Sequence, residues 1–440
     1  MTSEISLKDL KELNSRYNIF TSMTAEESVD AEFVFSAKDN LTSKDFETRA
    51  GSRILEGYTP GFDATPIRRM RDAGGFLAGK TNMDEFGFGT FSANSAYGIP
   101  RNPFDTNRSC GGSSGGAACA AAVLENHVAL GVSTGGSISC PASFCGVFGI
   151  TPTYGRVSRY GLIDYGNSLD KVGILSAKAA DLTKYLPIIS GKDHRDPTSC
   201  VQPDMRRSLR RIRSVAVPKE AIDGISEDVM KSFESALELL RSMSIDVEYV
   251  GMPSLKYSIP AYYVIATSEA STNLARYCGM RYGQQEGDLT LKFDDYFSSI
   301  RSKYFGDEAK RRILLGTFTR MVGYADRYYN KALQVRQVII AEYKGIFKTH
   351  DAVLTPTMPF VSPRFDDISK MSALQSYKAD FLTVPPNISG TPHLSVPCGY
   401  SEGMPVGMQF ITDHWNEDLL LSMATEWENA FDIRHPEVKL

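Results

Sequence analysis

The sequence predicts an α/β fold in which one mixed β-sheet lies between layers of helices, and three observations predict it. Residues 215–250 read strand, turn, helix, strand: SVAVP, then Val229, Met230, Phe233, Leu237 and Leu240 along one helical face, then DVEYV. Such a βαβ-like unit favours a mostly parallel or mixed sheet covered by helices. Short apolar runs bounded by turn residues recur at 76–79, 352–355 and 394–397, as buried strands do. No repeat and no low-complexity linker divides the 440 residues, so one domain over 1–440 fits better than two.

Taken in order, Leu7, Leu10 and Leu13 stand at helical spacing and predict a short amphipathic helix within residues 1–30. Residues 32–38 (EFVFSAK) alternate enough for a strand with Lys38 at its end. Residues 66–73 form a helix that opens on Pro66 and is stopped by Gly74 and Gly75. Between 87 and 116 the chain is rich in Gly, Ser, Asn and Pro and ends in Cys110-Gly-Gly-Ser113-Ser-Gly-Gly116. In a compact domain a stretch of that length and composition is a functional loop more often than a linker. Small apolar residues at 117–123 suit a helix packed closely on a neighbour, and a second glycine loop, Thr134-Gly135-Gly136-Ser137, follows. Ser226 is the expected N-cap of the helix in the βαβ-like unit, and residues 311–344 read as predominantly helical. Residues 31–200 thus hold the motifs, and 201–440 the remainder of the domain.

Composition excludes several classes. Hydrophobic residues make up 42% and charged residues 23% of the chain, the mixture of a packed globular protein. A formal net charge of −4 provides no overall field for nucleic acid or an anionic membrane. The start of the chain lacks the apolar core of a signal peptide, and the most apolar stretch, 117–132, is broken by Glu125 and His127. A cytoplasmic protein with no membrane contact is expected. Seven cysteines without a secretory signal predict buried thiols rather than a disulfide framework, and Cys140 and Cys145 lack a second pair at zinc spacing. The six histidines form no cluster, so no metal is expected.

Each piece of the motif region is weak alone. Ser137 by itself reads as a loop serine, Lys38 as a solvated lysine, and a GGSSGG run as a phosphate cradle or a tight turn. Together they meet the needs of nucleophilic serine chemistry: a base, oxyanion donors and a backbone that lets substrate approach. Gly135 and Gly136 permit the approach, and the N–H groups of Thr134, Gly135 and Gly136 can point at one developing charge beside Ser137 Oγ. No histidine lies in either glycine loop, and His127 reads as structural. A lysine serves as base if desolvation lowers its pKa by roughly three units, and Lys38 at the end of an apolar strand suits that. Asp39 beside it opposes the shift and must point away.

These runs resemble the amidase signature family. The resemblance lies in residues 130–138 (LGVSTGGSI) continuing into Cys140-Pro141-Ala142, preceded by the 111–116 loop. It implies an amidase-signature fold, a central mixed β-sheet sandwiched between helices, and a Ser-cisSer-Lys triad. The matching residues are Ser137 as nucleophile, Ser113 as proton relay and Lys38 as base, 24 and 75 residues apart in sequence. Runs at 79–86 (GKTNMDEF), 94–98, 101–103, 151–161 (TPTYGRVSRYG), 268–271, 310–317 (KRRILLGT) and 395–399 extend the likeness over the whole chain. Within the family they are most similar to the glutamine-hydrolysing A subunits of tRNA-dependent amidotransferases. That likeness implies an ammonia-accepting B subunit that binds ATP, Mg and most of the tRNA, a possible small C subunit, and no cofactor in this chain. It matches Arg312 and Asp380 to the groups that bind the α-carboxylate and α-ammonium of glutamine, with Tyr262 or Tyr263 beside them.

Where the family usually has Asp and Arg around the nucleophile, this chain has Ser133 and Ser139. Losing both charges together orphans neither. The basic cluster Arg206, Arg207, Arg210, Arg211 and Arg213 reads as a solvated segment before a strand, with contact to a partner or tRNA as the alternative. No GxxxxGK(S/T) run occurs, so ATP chemistry belongs to another chain. Two other functions fit parts of the pattern: a free-standing amidase of small amides, which has no need of Arg312 and Asp380, and a catalytically silent binding subunit, against which the complete triad argues.

Overall fold

Strands buried on both faces carry almost continuous apolar runs, and the chain's most buried segments line up accordingly. The computed structural model describes residues 7–26, 31–205, 210–286 and 288–438. Among these, eleven strands share one sheet: β1 (Phe20–Met23), β2 (Phe33–Lys38), β3 (Gly75–Thr81), β4 (His127–Ser133), β5 (Phe148–Thr151), β6 (Lys171–Ser176), β7 (Ser214–Pro218), β8 (Asp246–Val250), β9 (Ala352–Pro356), β10 (His393–Ser401) and β11 (Met404–Ile411). Their spatial order is β1-β3-β2-β4-β6-β5-β10-β11-β9-β7-β8. The pairs β3/β2, β2/β4, β9/β7 and β7/β8 are parallel and the others antiparallel, which makes the sheet mixed.

Alternation along the strands divides the core into layers. Val128, Leu130, Ile174, Val215 and Leu354 face the helices Thr65–Asp72, Ala179–Ile189, Glu227–Ser242 and Glu417–Ala430. On the opposite face, Ala129 and Leu175 meet the small-residue helix Gly115–Val123. Farther along that face, Ala216, Val353 and Ile411 meet the helices Ser258–Asn273 and Tyr329–Ile346. Ala and Gly in Gly115–Val123 allow the close approach that the site above it requires: a Cβ on Gly116 would lie 2.5 Å from Ile19 O.

Several expectations meet local differences. The helix opening on Pro66 runs Thr65–Asp72, and Gly74, at φ +85°, turns the chain directly into β3. Ser226 occupies the N-cap position without a side-chain cap hydrogen bond, and Ala236 replaces half-buried Met230 on the buried face of that helix. The helical stretch over 311–344 is two helices, Asp307–Arg320 and Tyr329–Ile346, separated by turns around Gly323 at φ +87°. Leu10 and Leu13 of helix Leu7–Tyr17 are buried. Arg206 and Arg207 lie outside the described residues, whereas Arg210 and Arg211 pair with Asp418 and Glu426 on the last helix. All seven cysteines carry free thiols. No helix among the described residues is long and apolar enough to cross a membrane.

Candidate active site

β2 ends where parallel β4 runs beside it, so Lys38 at the carboxyl end of β2 reaches across to the loops that follow its neighbour. Its side chain is 1% exposed. Lys38 Nζ donates to Ser113 Oγ at 2.6 Å and to Val132 O at 3.0 Å. Burial disfavours the ammonium and lowers its pKa to about 7, against the attraction of Asp84 and Asp170. Asp39 turns away: its Oδ1 accepts from Arg49 N–H at 3.4 Å and lies 3.6 Å from Lys80 Nζ. His127 begins β4, buried, with Nε2 2.9 Å from Ser36 Oγ, and burial pulls its pKa down to about 3. That contact ties it to Ser36 of β2 and not to Ser113 or Ser137.

Ser113 follows a cis Gly112–Ser113 peptide bond. The next residue ties the two glycine loops together, since Ser114 N–H donates to Ser137 O at 3.2 Å. Ser137 is 8% exposed and faces a narrow cavity lined also by Gly87, Gly112, Gly135, Gly136, Tyr262, Tyr263, Arg312 and Asp380. The glycines are steric necessities. A Cβ on Gly135 would lie 2.4 Å from the Tyr262 hydroxyl, and one on Gly136 would lie 2.2 Å from Thr383 Oγ1. One donor of the expected set is engaged: Gly136 N–H bonds Ser133 Oγ at 3.2 Å. The residue at 133 is itself a serine with an acceptor in reach, and this satisfies the amide internally. Thr134 and Gly135 are therefore the candidate oxyanion donors, and Thr134 Oγ1 is fixed by a 2.6 Å hydrogen bond to Asp170.

The candidate recognition groups arrive from distant parts of the chain. Arg312, on Asp307–Arg320, is 3% exposed although Arg311 beside it faces solvent. Its Nε donates to Glu308 Oε1 at 2.8 Å and its Nη1 to the Tyr165 hydroxyl. Phe88, Tyr165, Tyr263 and Tyr377 rings surround its guanidinium at 5.1–5.5 Å. Asp380 Oδ2 accepts from Thr90 Oγ1 at 3.0 Å and from the Tyr263 hydroxyl at 2.9 Å. Burial raises the Asp380 pKa to about 7, opposed by those hydrogen bonds and by Arg312. Both tyrosines singled out in the sequence line the cavity: Tyr263 holds Asp380, and Tyr262 lies over Gly135.

Sequence reasoning missed two buried carboxylates. Asp84 accepts from Ser92 N–H and Asn94 N–H, both at 2.9 Å, and burial lifts its pKa to about 6. Asp170, lifted to about 7 by burial, accepts from the Tyr165 and Gly166 N–H groups as well as from Thr134. Asp84 lies inside the GKTNMDEF run that carries part of the family resemblance, so position was the signal available. Asp170 and the aromatic enclosure of Arg312 had none.

A family model described as Amidase matches residues 24–421. The chain belongs to the amidase family. Its relatives include the glutamyl-tRNA(Gln) amidotransferase A subunit of Clostridium botulinum (strain Alaska E43 / Type E3), 41% identical over 96% of this chain and 92% of the relative. The subunit of the same name from Methanospirillum hungatei is 43% identical over 90% of this chain and 92% of its own length. Among solved structures, the glutamyl-tRNA(Gln) amidotransferase A subunit of Thermotoga maritima superposes with a TM-score of 0.84 at 36% identity, covering 99% and 93% of the two chains. The peptide amidase of Stenotrophomonas maltophilia gives a TM-score of 0.76 at 28% identity over 92% and 84%.

In this amidase, Ser133 Oγ donates to Asn387 Oδ1 at 3.2 Å. Ser139 is fully buried, and its hydroxyl has no hydrogen-bond partner among the described residues. Neither position carries a charge next to the nucleophile.

Proposed function

We propose that this chain is the glutamine-hydrolysing subunit of a tRNA-dependent amidotransferase. The observation that carries the reading is that a buried cation, Arg312, and a carboxylate, Asp380, line the same narrow cavity as Ser137. A zwitterionic α-amino acid needs that clamp, and a simple amide does not. Names of the relatives, at 41–43% identity over at least 90% of this chain, support it.

In the mechanism, Ser137 Oγ attacks the side-chain amide carbon of glutamine while its proton passes through Ser113 to neutral Lys38. The N–H groups of Thr134 and Gly135 hold the oxyanion. Protonated Lys38 returns the proton through Ser113 to the leaving nitrogen, ammonia departs, and a glutamyl ester remains on Ser137. Water activated along the same path releases glutamate. A B subunit that binds ATP, Mg and tRNA consumes the ammonia by amidating tRNA-linked glutamate or aspartate, with or without a small C subunit, in the cytoplasm.

Glutaminase activity of the chain, alone and with a co-purified ATP-binding partner, tests the assignment, and Arg312→Ala tests its specificity. The variant is expected to lose about 10²-fold or more in kcat/KM for glutamine, since a ligand carboxylate is left unpaired. Loss on an amide without the α-carboxylate is expected to be small. Equal losses on both substrates would show a general amidase instead.

A further inference from the structure

Ser133 is the end of a neutral hydrogen-bonded brace. Ser133 Oγ accepts from Gly136 N–H and donates to Asn387 Oδ1, each at 3.2 Å. Asn387 Nδ2 donates to Thr383 O at 2.9 Å, and Thr383 Oγ1 returns to the glycine loop by donating to Gly135 O at 2.9 Å. The same Thr383 hydroxyl lies 3.2 Å from Asp380 O. Ser133, Thr383 and Asn387 are all 0% exposed. Gly136, at φ +144°, packs so closely on Thr383 that no Cβ fits between them.

We infer that Ser133, Thr383 and Asn387 are positioning residues that set the aim of the oxyanion donors Thr134 and Gly135. The inference rests on the reading of Ser137 as nucleophile. The peptide unit between Gly135 and Gly136 is gripped from both sides, its C=O by Thr383 and its N–H by Ser133, so its plane cannot rotate without breaking a buried hydrogen bond. That plane fixes the direction of the neighbouring N–H groups beside Ser137 Oγ. An aspartate at 133 would put a carboxylate within reach of the Asn387 carbonyl oxygen, so the serine fits the uncharged version of the brace, in which Ser133 and Asn387 each both donate and accept and the Thr383 hydroxyl donates. Because Thr383 and Asn387 follow Asp380 by three and seven residues, one short segment carries both the substrate contact and the loop's supports.

The test is kinetics normalised to sites titrated with an electrophilic glutamine analogue, with the label located by mass spectrometry. Ser133→Ala, Asn387→Ala and the nearly isosteric Thr383→Val are each expected to lower kcat for glutamine about 10- to 100-fold, less than the ~10²–10³ of deleting a donor outright. KM and the pH of the rising limb stay in place. Combining Ser133→Ala with Asn387→Ala is expected to cost little more than the worse single change, because one brace is broken once. Ser133→Thr and Thr383→Ser, which keep the hydroxyls, are expected to restore most of kcat. Unchanged kcat per titrated site, additive losses, or losses confined to KM overturn the inference while leaving the nucleophile intact. A wild-type enzyme labelled elsewhere than at Ser137 removes the nucleophile itself, a distinct result that takes this inference with it.

Discussion

Two lysines at the ends of adjacent strands show what burial alone does and does not decide. Lys38 ends β2 and Lys80 lies near the end of β3, with Ala37 opposite Lys80 in the parallel register. Both are essentially inaccessible, at 1% and 0%. Burial lowers the pKa of Lys38 to about 7 and that of Lys80 to about 8. Their partners differ. Lys80 Nζ lies 3.6 Å from Asp39 Oδ1 and bonds Thr48 Oγ1 at 3.2 Å, whereas Lys38 bonds a hydroxyl and a carbonyl and feels its carboxylates only at longer range. A buried amine whose contacts are neutral gives up its proton near pH 7; one beside a carboxylate holds it in an ion pair. Asp39, next to Lys38 in sequence, pairs with the other lysine.

Replacing each lysine separates the two roles. Lys38→Met is expected to lower kcat/KM by roughly 10²–10⁴-fold, the range of a lost general base. Chemical denaturation is expected to show little loss of stability, because the two hydrogen bonds broken, to Ser113 and Val132, are to neutral groups and no carboxylate is stranded. A variant that keeps its activity would transfer the base to another group. Lys80→Met is expected to do the reverse. It strands Asp39 and destabilises the fold by about 3 kcal/mol near pH 8, with activity per folded molecule preserved. Lys80 partly offsets the rise that burial imposes on the Asp39 pKa, so losing it lifts that pKa further; the penalty relative to wild type is absent at pH values where Asp39 is protonated in both folded proteins and grows as pH rises toward the variant's folded pKa. Denaturation at pH 5 should therefore show a smaller difference from wild type than at pH 8.

The third test is pH dependence. In the proposed mechanism activity needs neutral Lys38, so with a pKa of about 7 kcat/KM is expected to rise about 10-fold from pH 6 to pH 8. Asp380, also raised to about 7, must ionise to meet the substrate ammonium and acts in the same direction. The limb for glutamine should thus be steeper than that for an amide without an α-ammonium. Lys80→Met and His127→Ala should leave both limbs where they are; a limb that moved with His127 would contradict the mechanism.

The chemistry was more legible in the sequence than the recognition. Lys38, Ser113 and Ser137 stand in local runs whose glycines are needed by the backbone itself, and a run of that kind can be read without knowing its neighbours. Arg312 and Asp380 could be placed only through the family likeness. Tyr165, Tyr377 and Glu308, which hold Arg312, are single positions whose roles exist only after the chain closes, as with Tyr165 and Arg312, 147 residues apart. Strands with an apolar run or a βαβ context, such as β2, β7 and β8, were readable. β1 and β5 have only four residues each, and β6 and β11 carry an interior glycine that weakens the pattern. The Gly136 amide was assigned to the oxyanion because its acceptor, Ser133, is visible as one only in three dimensions.

Strand order also determines when the sheet can be finished during synthesis. β5 pairs on one side with β6 and on the other with β10, whose first residue is His393. At ribosomal speeds of about 5–20 residues per second, β5 emerges roughly 10–50 s before the strand that covers it. Throughout that interval Phe148–Thr151 is an apolar edge able to pair with another nascent chain. A messenger truncated before residue 393 would leave that edge open for good, yielding a chain that contains every member of the triad and a template for aggregation.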